Sequence, residues 1–174
     1  MIQLETSRLL LRKFCATDLD RVAELTSNPG FMRFSGGSIF DRAQAEAFLE
    51  RLLAPERLGK PSQFAVLHRA DQKLIGYCGF FLQTVDDVEE LEIGYRLDPA
   101  YWGRGLATEV ARAVRDHAFR DLNADRVISL IVPDNLPSRR VALKNGMQLE
   151  KETTFRGFQT QVFALTRAEW SAAE

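Results

Sequence analysis

The stretch Glu92–Val110, EIGYRLDPAYWGRGLATEV, decides the fold. It opens as an apolar strand, turns at Asp98-Pro99, crosses a loop with Gly103 and Gly105, and runs into a long amphipathic helix. A strand that delivers its carboxyl end to a glycine-rich helix N-terminus makes an anion site. The N–H groups of the first helical turn have no intrahelical partner, and the helix dipole adds positive character there. Glycine at 103 and 105 lets a bulky phosphate approach that backbone closely.

The pattern extends in both directions. After the loop, Leu106, Val110, Val114 and Ala118 recur at four-residue spacing, with Ala107 and Ala111 beside them. The other face carries Glu109, Arg112, Asp116 and Arg120, spaced for ion pairs one helical turn apart. Arg126–Val132 is nearly all apolar and β-branched, which predicts a strand buried on both faces. Pro133-Asp134-Asn135 leads into a short helix that Asn145-Gly146 ends, and strands follow near Gln148–Thr153 and Phe158–Leu165. Upstream, Ser7–Phe14 predicts a first strand, and Thr17 a cap for a helix over Asp18–Ser27 that Asn28-Pro29-Gly30 stops. FMRFSGGSIF, from Phe31 to Phe40, reads as an ordered loop. Asp41 caps a second helix with Ala45, Phe48, Leu49 and Leu52 as its stripe. A hairpin then joins Gln63–Arg69 to Lys73–Gln83, and Asp86-Asp87 turns into the key strand. The predicted order is β-α-α-β-β-β-α-β-α-β-β: a mixed α/β sheet of about seven strands with helices on both faces.

At 174 residues, with no linker or repeat, one domain over 1–174 is expected, its core about 7–166. A net charge of −1 argues against a general nucleic-acid binder. No apolar run reaches the ~18 residues of a membrane span, and the N-terminus has no secretory pattern. Cys15 and Cys78 form no metal or redox motif, and His68 and His117 lack clustered ligands, so no metal is expected. The simplest location is the cytoplasm.

The glycine loop excludes two nucleotide folds. A Walker loop needs Gly-Lys-Ser/Thr, absent from GRGLAT, and a Rossmann fingerprint needs Gly or Ala where Thr108 stands. Taken alone, Gly103 and Gly105 would only shape a tight turn. The run from Glu92 to Met147, however, resembles the GNAT superfamily of acyl-CoA N-acyltransferases. Their loop Gln/Arg-x-x-Gly-x-Gly/Ala falls on Trp102-Gly103-Arg104-Gly105-Leu106-Ala107, with Trp102 departing from the usual position. Tyr101-Trp102-Gly103-Arg104-Gly105 through Ala107-Thr108-Glu109 is similar to the RimJ/RimL-like branch. So are Asn135-Leu136-Pro137-Ser138, Lys144-Asn145-Gly146-Met147 and the opening SRLLLRKF with N-P-x-x-M-R-F.

The resemblance implies acetyl-CoA as cosubstrate and a primary amine, on a protein N-terminus or a small molecule, as acceptor. It implies a GNAT-like fold with a splayed central strand pair, for which Gly94 would tolerate the bulge. The N–H groups of Gly103, Arg104, Gly105, Leu106, Ala107 and Thr108 would hold the diphosphate, with Trp102 beside them, and Tyr95, Arg96 and Leu97 would pair with pantetheine. Arg104 contributes backbone before side chain. Asn135 would cap its helix, bind pantetheine, or both. The resemblance also allows a homodimer.

Catalysis needs a neutral amine, a stabilised oxyanion and a thiolate that leaves. Main-chain N–H groups of Ile93–Tyr95 are the oxyanion donors expected. Glu92 is the candidate base, against a plain ion pair or a base supplied by the substrate; Glu89 and Glu90 read as solvated. Many family members use a Tyr as acid where Ala142 stands, so Ser138 is the candidate partner of the thiolate, against a plain third helical residue. His68 reads as a packed histidine, and His117 as solvent-facing. Phe31, Met32, Phe34, Phe40, Phe155 and Phe158 read as core, though the resemblance puts their segments beside the acceptor cleft. The alternative to an enzyme is a non-catalytic CoA-binding sensor or interaction module on the same fold.

Overall fold

The computed structural model describes residues 2–34 and 36–173, without the side chains of Ile2 and Glu56. Ser35, inside the expected loop, lies outside the described residues. The strands are β1 (Ile2–Glu5), β2 (Leu9–Arg12), β3 (Gln63–His68), β4 (Lys73–Val85), β5 (Val88–Leu97), β6 (Arg126–Ile131), β7 (Gln148–Phe155) and β8 (Phe158–Thr166). They form one sheet in the order β1-β2-β3-β4-β5-β6-β8-β7. Neighbours are antiparallel except β5 and β6, which are parallel. The helices are α1 (Leu19–Thr26), α2 (Pro29–Met32), α3 (Arg42–Arg57), α4 (Leu106–Arg120), α5 (Leu136–Lys144) and α6 (Arg167–Ala172).

The mixed α/β class and helices on both faces are as expected. One core joins Leu106, Val110, Val114 and Ala118 of α4 to Phe80, Ile93 and Val127 of the sheet. A second core joins Phe31, Met32, Leu49 and Leu52 to Ala65 and Tyr77 on the opposite face. Val127 and Ile128 are fully buried in different clusters, so β6 is covered on both sides. Asp41 caps α3 as expected, its Oδ1 accepting the Gln44 N–H at 2.8 Å.

Several expectations shift. The described sheet has eight strands, because Thr6 splits the N-terminal segment. The Thr6 N–H donates to Leu9 O and its Oγ1 accepts the Leu9 N–H, both at 2.9 Å, turning β1 back onto β2. Thr17 is not the cap of α1. A 3₁₀ turn at Ala16–Asp18 precedes the helix, and the Asp18 carboxylate accepts the Cys15 N–H at 2.9 Å while Arg12 grips it. The stretch read as a loop from Phe31 holds the end of α2, because Asn28 Oδ1 accepts the Gly30 N–H and starts a new turn. The C-terminal α6 was not foreseen. The polar face of α4 makes tertiary contacts: Glu109 with Arg8, Asp116 with Trp170, and Arg112 with the Lys144 carbonyl.

The centre of the sheet positions the site. β4 and β5 pair without interruption from Gly76↔Leu97 to Val85↔Val88, so the bulge expected at Gly94 is absent. Gly94 serves packing instead: a Cβ there would stand 2.7 Å from Phe81 Cε2. The splay lies between β5 and β6, which register only at Glu92↔Ile128. Ser129 Oγ donates to Ile93 O at 2.9 Å, and beyond that bond the two strands part.

Candidate active site

Strand alternation determines what enters the gap. The Asp98 N–H donates to Ile75 O, so even-numbered residues of β5 hydrogen-bond toward β4. The main-chain groups of Ile93, Tyr95 and Leu97 therefore point toward β6. Gly94 N–H is directed away, and Tyr95 N–H is the first beyond the last bridge. Leu97 O is occupied by Trp102 Nε1–H at 2.8 Å, which ties the loop to the strand end and leaves the indole half exposed. Arg96 sends its side chain to the opposite face, over the rings of Phe31 and Tyr77.

The gap leads to the start of α4. Gly103 and Gly105 have φ of 74° and 76°, the left-handed region where a side chain strains the backbone. The first intrahelical bond runs from Glu109 N–H to Gly105 O at 3.1 Å, and no side chain caps this end. The N–H groups of Leu106, Ala107 and Thr108 precede it, so they have no intrahelical acceptor. Arg104 lies over the Tyr101 ring at 5.2 Å, and its carbonyl accepts from Arg8 at 2.8 Å. Its side chain is thus committed to a ring.

Sequence reasoning missed the brace behind this loop. Glu109 accepts from Thr6 Oγ1 at 2.6 Å, Ser7 Oγ at 3.1 Å, Arg8 N–H at 3.0 Å and Arg8 Nε at 2.7 Å. These bonds hold its carboxyl below the usual range, against the opposing effect of burial. They span about a hundred residues of chain, so no local signal announced them.

One cavity of about 1670 Å³ runs from this loop through the gap to the opposite face of the sheet. Its lining includes Glu92, Tyr95, Leu97, Trp102, Gly103, Gly105–Thr108, Asn135 and Ser138, so the structure brings nearly all expected site residues together. Arg104 is not among the lining residues. Asn135 caps α5, its Oδ1 accepting the Ser138 N–H at 3.3 Å. Ser138 also stands beside the Tyr95 phenol. Among the described residues that buried hydroxyl has no hydrogen-bond partner, and neither does Asn145 Oδ1 in the same wall. Buried polar atoms are seldom left unpaired, so two in one cavity wall fit a polar ligand threading past them. Burial pushes the phenol well above its ordinary pKa, so it keeps its proton at neutral pH. Ala142, where the family places Tyr, is buried and offers no hydroxyl.

Glu92 lies on the other side of the gap. Its Oε2 accepts from Gln83 Nε2 at 2.7 Å, and its carboxyl also accepts the Leu130 N–H. Burial raises its pKa; those two bonds and the Arg156 charge oppose the rise only partly. Among the described residues no cation lies within ion-pair distance of it. Glu90, read as solvated, is nearly buried and bonds Arg126 through both oxygens at 2.9 and 3.0 Å. His68 bonds Asp71 at 2.9 Å and packs on Tyr101, as expected of a structural histidine. His117 is not solvent-facing: it packs on Phe64 and Phe80 and bonds Asp121 at 2.6 Å. Phe34 and Phe158, read as core, are 41% and 62% exposed and line the cavity instead.

A strand pair thus opens beside an uncapped helix start, with a buried carboxylate across the gap. Residues 8–148 match the acetyltransferase (GNAT) domain, and the chain belongs to that family. YnaD of Bacillus subtilis strain 168, an uncharacterized N-acetyltransferase, is 30% identical over 176 residues, covering 98% of this chain and 100% of YnaD. A GNAT-family acetyltransferase from Bacillus anthracis superposes with a TM-score of 0.78 at 26% identity, over 96% of this chain and 98% of its own. RimL, a ribosomal L7/L12 alpha-N-protein acetyltransferase solved with coenzyme A, gives 0.78 at 17% identity over 95% and 97%, a likeness of fold alone. Among the described residues no group of His, Cys, Asp and Glu could hold a metal, and no helix is long and apolar enough to cross a membrane.

Proposed function

We propose that this chain is an acetyl-CoA-dependent N-acetyltransferase of the RimJ/RimL-like branch that acetylates a primary amine by direct attack on the thioester. The observation that carries the reading is the gap beyond Glu92↔Ile128, which opens main-chain donors toward the uncapped start of α4. The N–H groups from Gly103 to Thr108 would receive the diphosphate, and Tyr95 and Leu97 with Asn135 would face the pantetheine arm. Cytoplasmic residence and a homodimer are part of the proposal; sedimentation as a monomer would remove the second.

Each step has a residue. Glu92 takes the proton of the ammonium, leaving an amine lone pair to form the C–N bond; the second N–H proton, acidic once that bond forms, passes to solvent as the adduct collapses to the amide. Its raised pKa brings it closer to that task than an ordinary carboxylate of ~4.3. Tyr95 N–H, the open donor of the strand, stabilises the oxyanion. As the C–S bond breaks, the hydroxyls of Ser138 and Tyr95 hydrogen-bond the thiolate. The upward-shifted phenol is a poor acid, and a thiol of pKa ~8.5 regains its proton from solvent near neutrality, so donation of a bond suffices.

Ser138→Ala and Tyr95→Phe should therefore each lower kcat by about tenfold or less, the size of one net hydrogen bond. Steady-state thiol release at saturating acetyl-CoA measures this; losses above ~1,000-fold would make one of them a true acid. The reading itself is tested by thiol release from acetyl-CoA with a panel of peptides and small amines. Binding of acetyl-CoA with no turnover on the panel would favour the sensor module, and absence of both would overturn the proposal.

A further inference from the structure

The acceptor half of the cavity carries a charge that composition does not foreshadow. The chain has a formal net charge of −1, yet Arg33, Arg51, Lys60, Arg96 and Arg156 line the face of the sheet that Glu92 occupies. Several arginines elsewhere sit in ion pairs: Arg8 with Glu109, Arg12 with Asp18, Arg21 with Asp98, and Arg126 with Glu90 and Glu150. The four arginines on the Glu92 face of this cavity sit over rings, while Arg115 and Arg140 line its other side. Arg33 lies 5.1 Å from the centre of Phe34, Arg51 5.6 Å from Phe48, Arg96 5.4 Å from Phe31, and Arg156 5.1 Å from Phe155. None has a carboxylate within ion-pair distance among the described residues.

A guanidinium stacked on a ring keeps its edge N–H groups available for a planar or tetrahedral oxyanion. Arg156 also connects to the base: it donates to Gln83 Oε1 at 3.1 Å, and Gln83 Nε2 donates to Glu92 at 2.7 Å. A cation and the base therefore lie within the length of one small molecule. Phe34 and Phe158 offer exposed apolar surface in the same mouth.

We propose that the acceptor is a small primary amine carrying an anionic group, a carboxylate or a phosphonate-type oxyanion, on an apolar or aromatic body. The inference rests on the acetyl-transfer reading above. The amine meets Glu92, the anion meets the guanidinium edges, and the body lies against the rings. A polycationic amine would bring like charges into this mouth and is excluded by it.

Two arms test the proposal and separate its failure from that of the enzyme reading. In the first, CoA-loaded protein is titrated with amine-free probes: 3-phenylpropionate, 2-phenylethylphosphonate and the uncharged 3-phenylpropanamide. At least one anion should bind ~10-fold or more tighter than the amide, and whichever binds better identifies the oxyanion. In the second, kcat/KM is compared for phenylalanine, its phosphonate analogue, phenylalaninamide, spermidine and kanamycin. The anionic amines should lead by a similar factor, and Arg33→Gln and Arg51→Gln should raise their KM while leaving that of phenylalaninamide in place. Equal binding of amide and anions, or better turnover of spermidine or kanamycin, overturns the anionic acceptor; in the second case the acetyltransferase stands.

Discussion

Glu92→Gln should lower kcat by ~100- to 10,000-fold while leaving acetyl-CoA affinity within about twofold of wild type. The variant keeps the size of the side chain and one acceptor oxygen, and it removes the ability to take a proton. Because burial raises the Glu92 pKa, the wild-type rate should fall on acidification at a pH above the ordinary carboxylate value of ~4.3. That acid limb should vanish in the variant, whose residual rate tracks only the free amine. The same shift has a stability consequence with a fixed sign. A carboxyl whose folded pKa is raised binds more protons in the native state, so it costs stability as pH rises from the unfolded value to the folded one. The melting temperature of Glu92→Gln relative to wild type should therefore increase as pH rises from the ordinary carboxylate value of ~4.3, as thermal unfolding across a pH series would show. A flat difference, or a variant with undiminished turnover, would assign the proton to the substrate or to water.

Gly105→Val should weaken acetyl-CoA binding by roughly 10- to 100-fold with little loss of fold. The position has φ of 76°, and a β-branched residue there is strained by ~1–3 kcal/mol. Space is not the obstacle, since the nearest atom to a Cβ would be Arg8 Nη2 at 3.7 Å. Relief of strain must rotate the peptide planes that aim the loop N–H groups, so the damage falls on the cradle. Calorimetric titration would show the loss in Kd, and the melting temperature should drop by only a few degrees. Unchanged affinity would mean that the donor is held by side chains.

The sequence disclosed what local patterns encode. The four-residue apolar stripe of α4, the two-sided burial of β6 and the Asn135 cap are properties of short segments, and each stands in the structure as read. Short edge elements escaped because four residues of IQLE carry little periodicity, and because Asn28-Pro29 both ends one helix and begins the next. The site divides along the same line. Gly103 and Gly105 announced the loop, whereas the Thr6–Arg8 brace on Glu109 joins partners that only folding brings together. The splay was misattributed to Gly94, because that glycine's need is to admit the Phe81 ring, which lies across the strand pair. The unpartnered Tyr95 hydroxyl was invisible for a related reason. Its burial depends on α5 closing over β5, and a strand tyrosine gives no sign of it.

The central claim is that main-chain donors at the open gap and at the start of α4 hold acetyl-CoA. Amide hydrogen exchange with and without acetyl-CoA tests it most directly. Slowed exchange should appear at Tyr95 and across Gly103–Thr108, with β4 amides facing β3 unchanged. No protection at those positions under saturating acetyl-CoA would contradict the account.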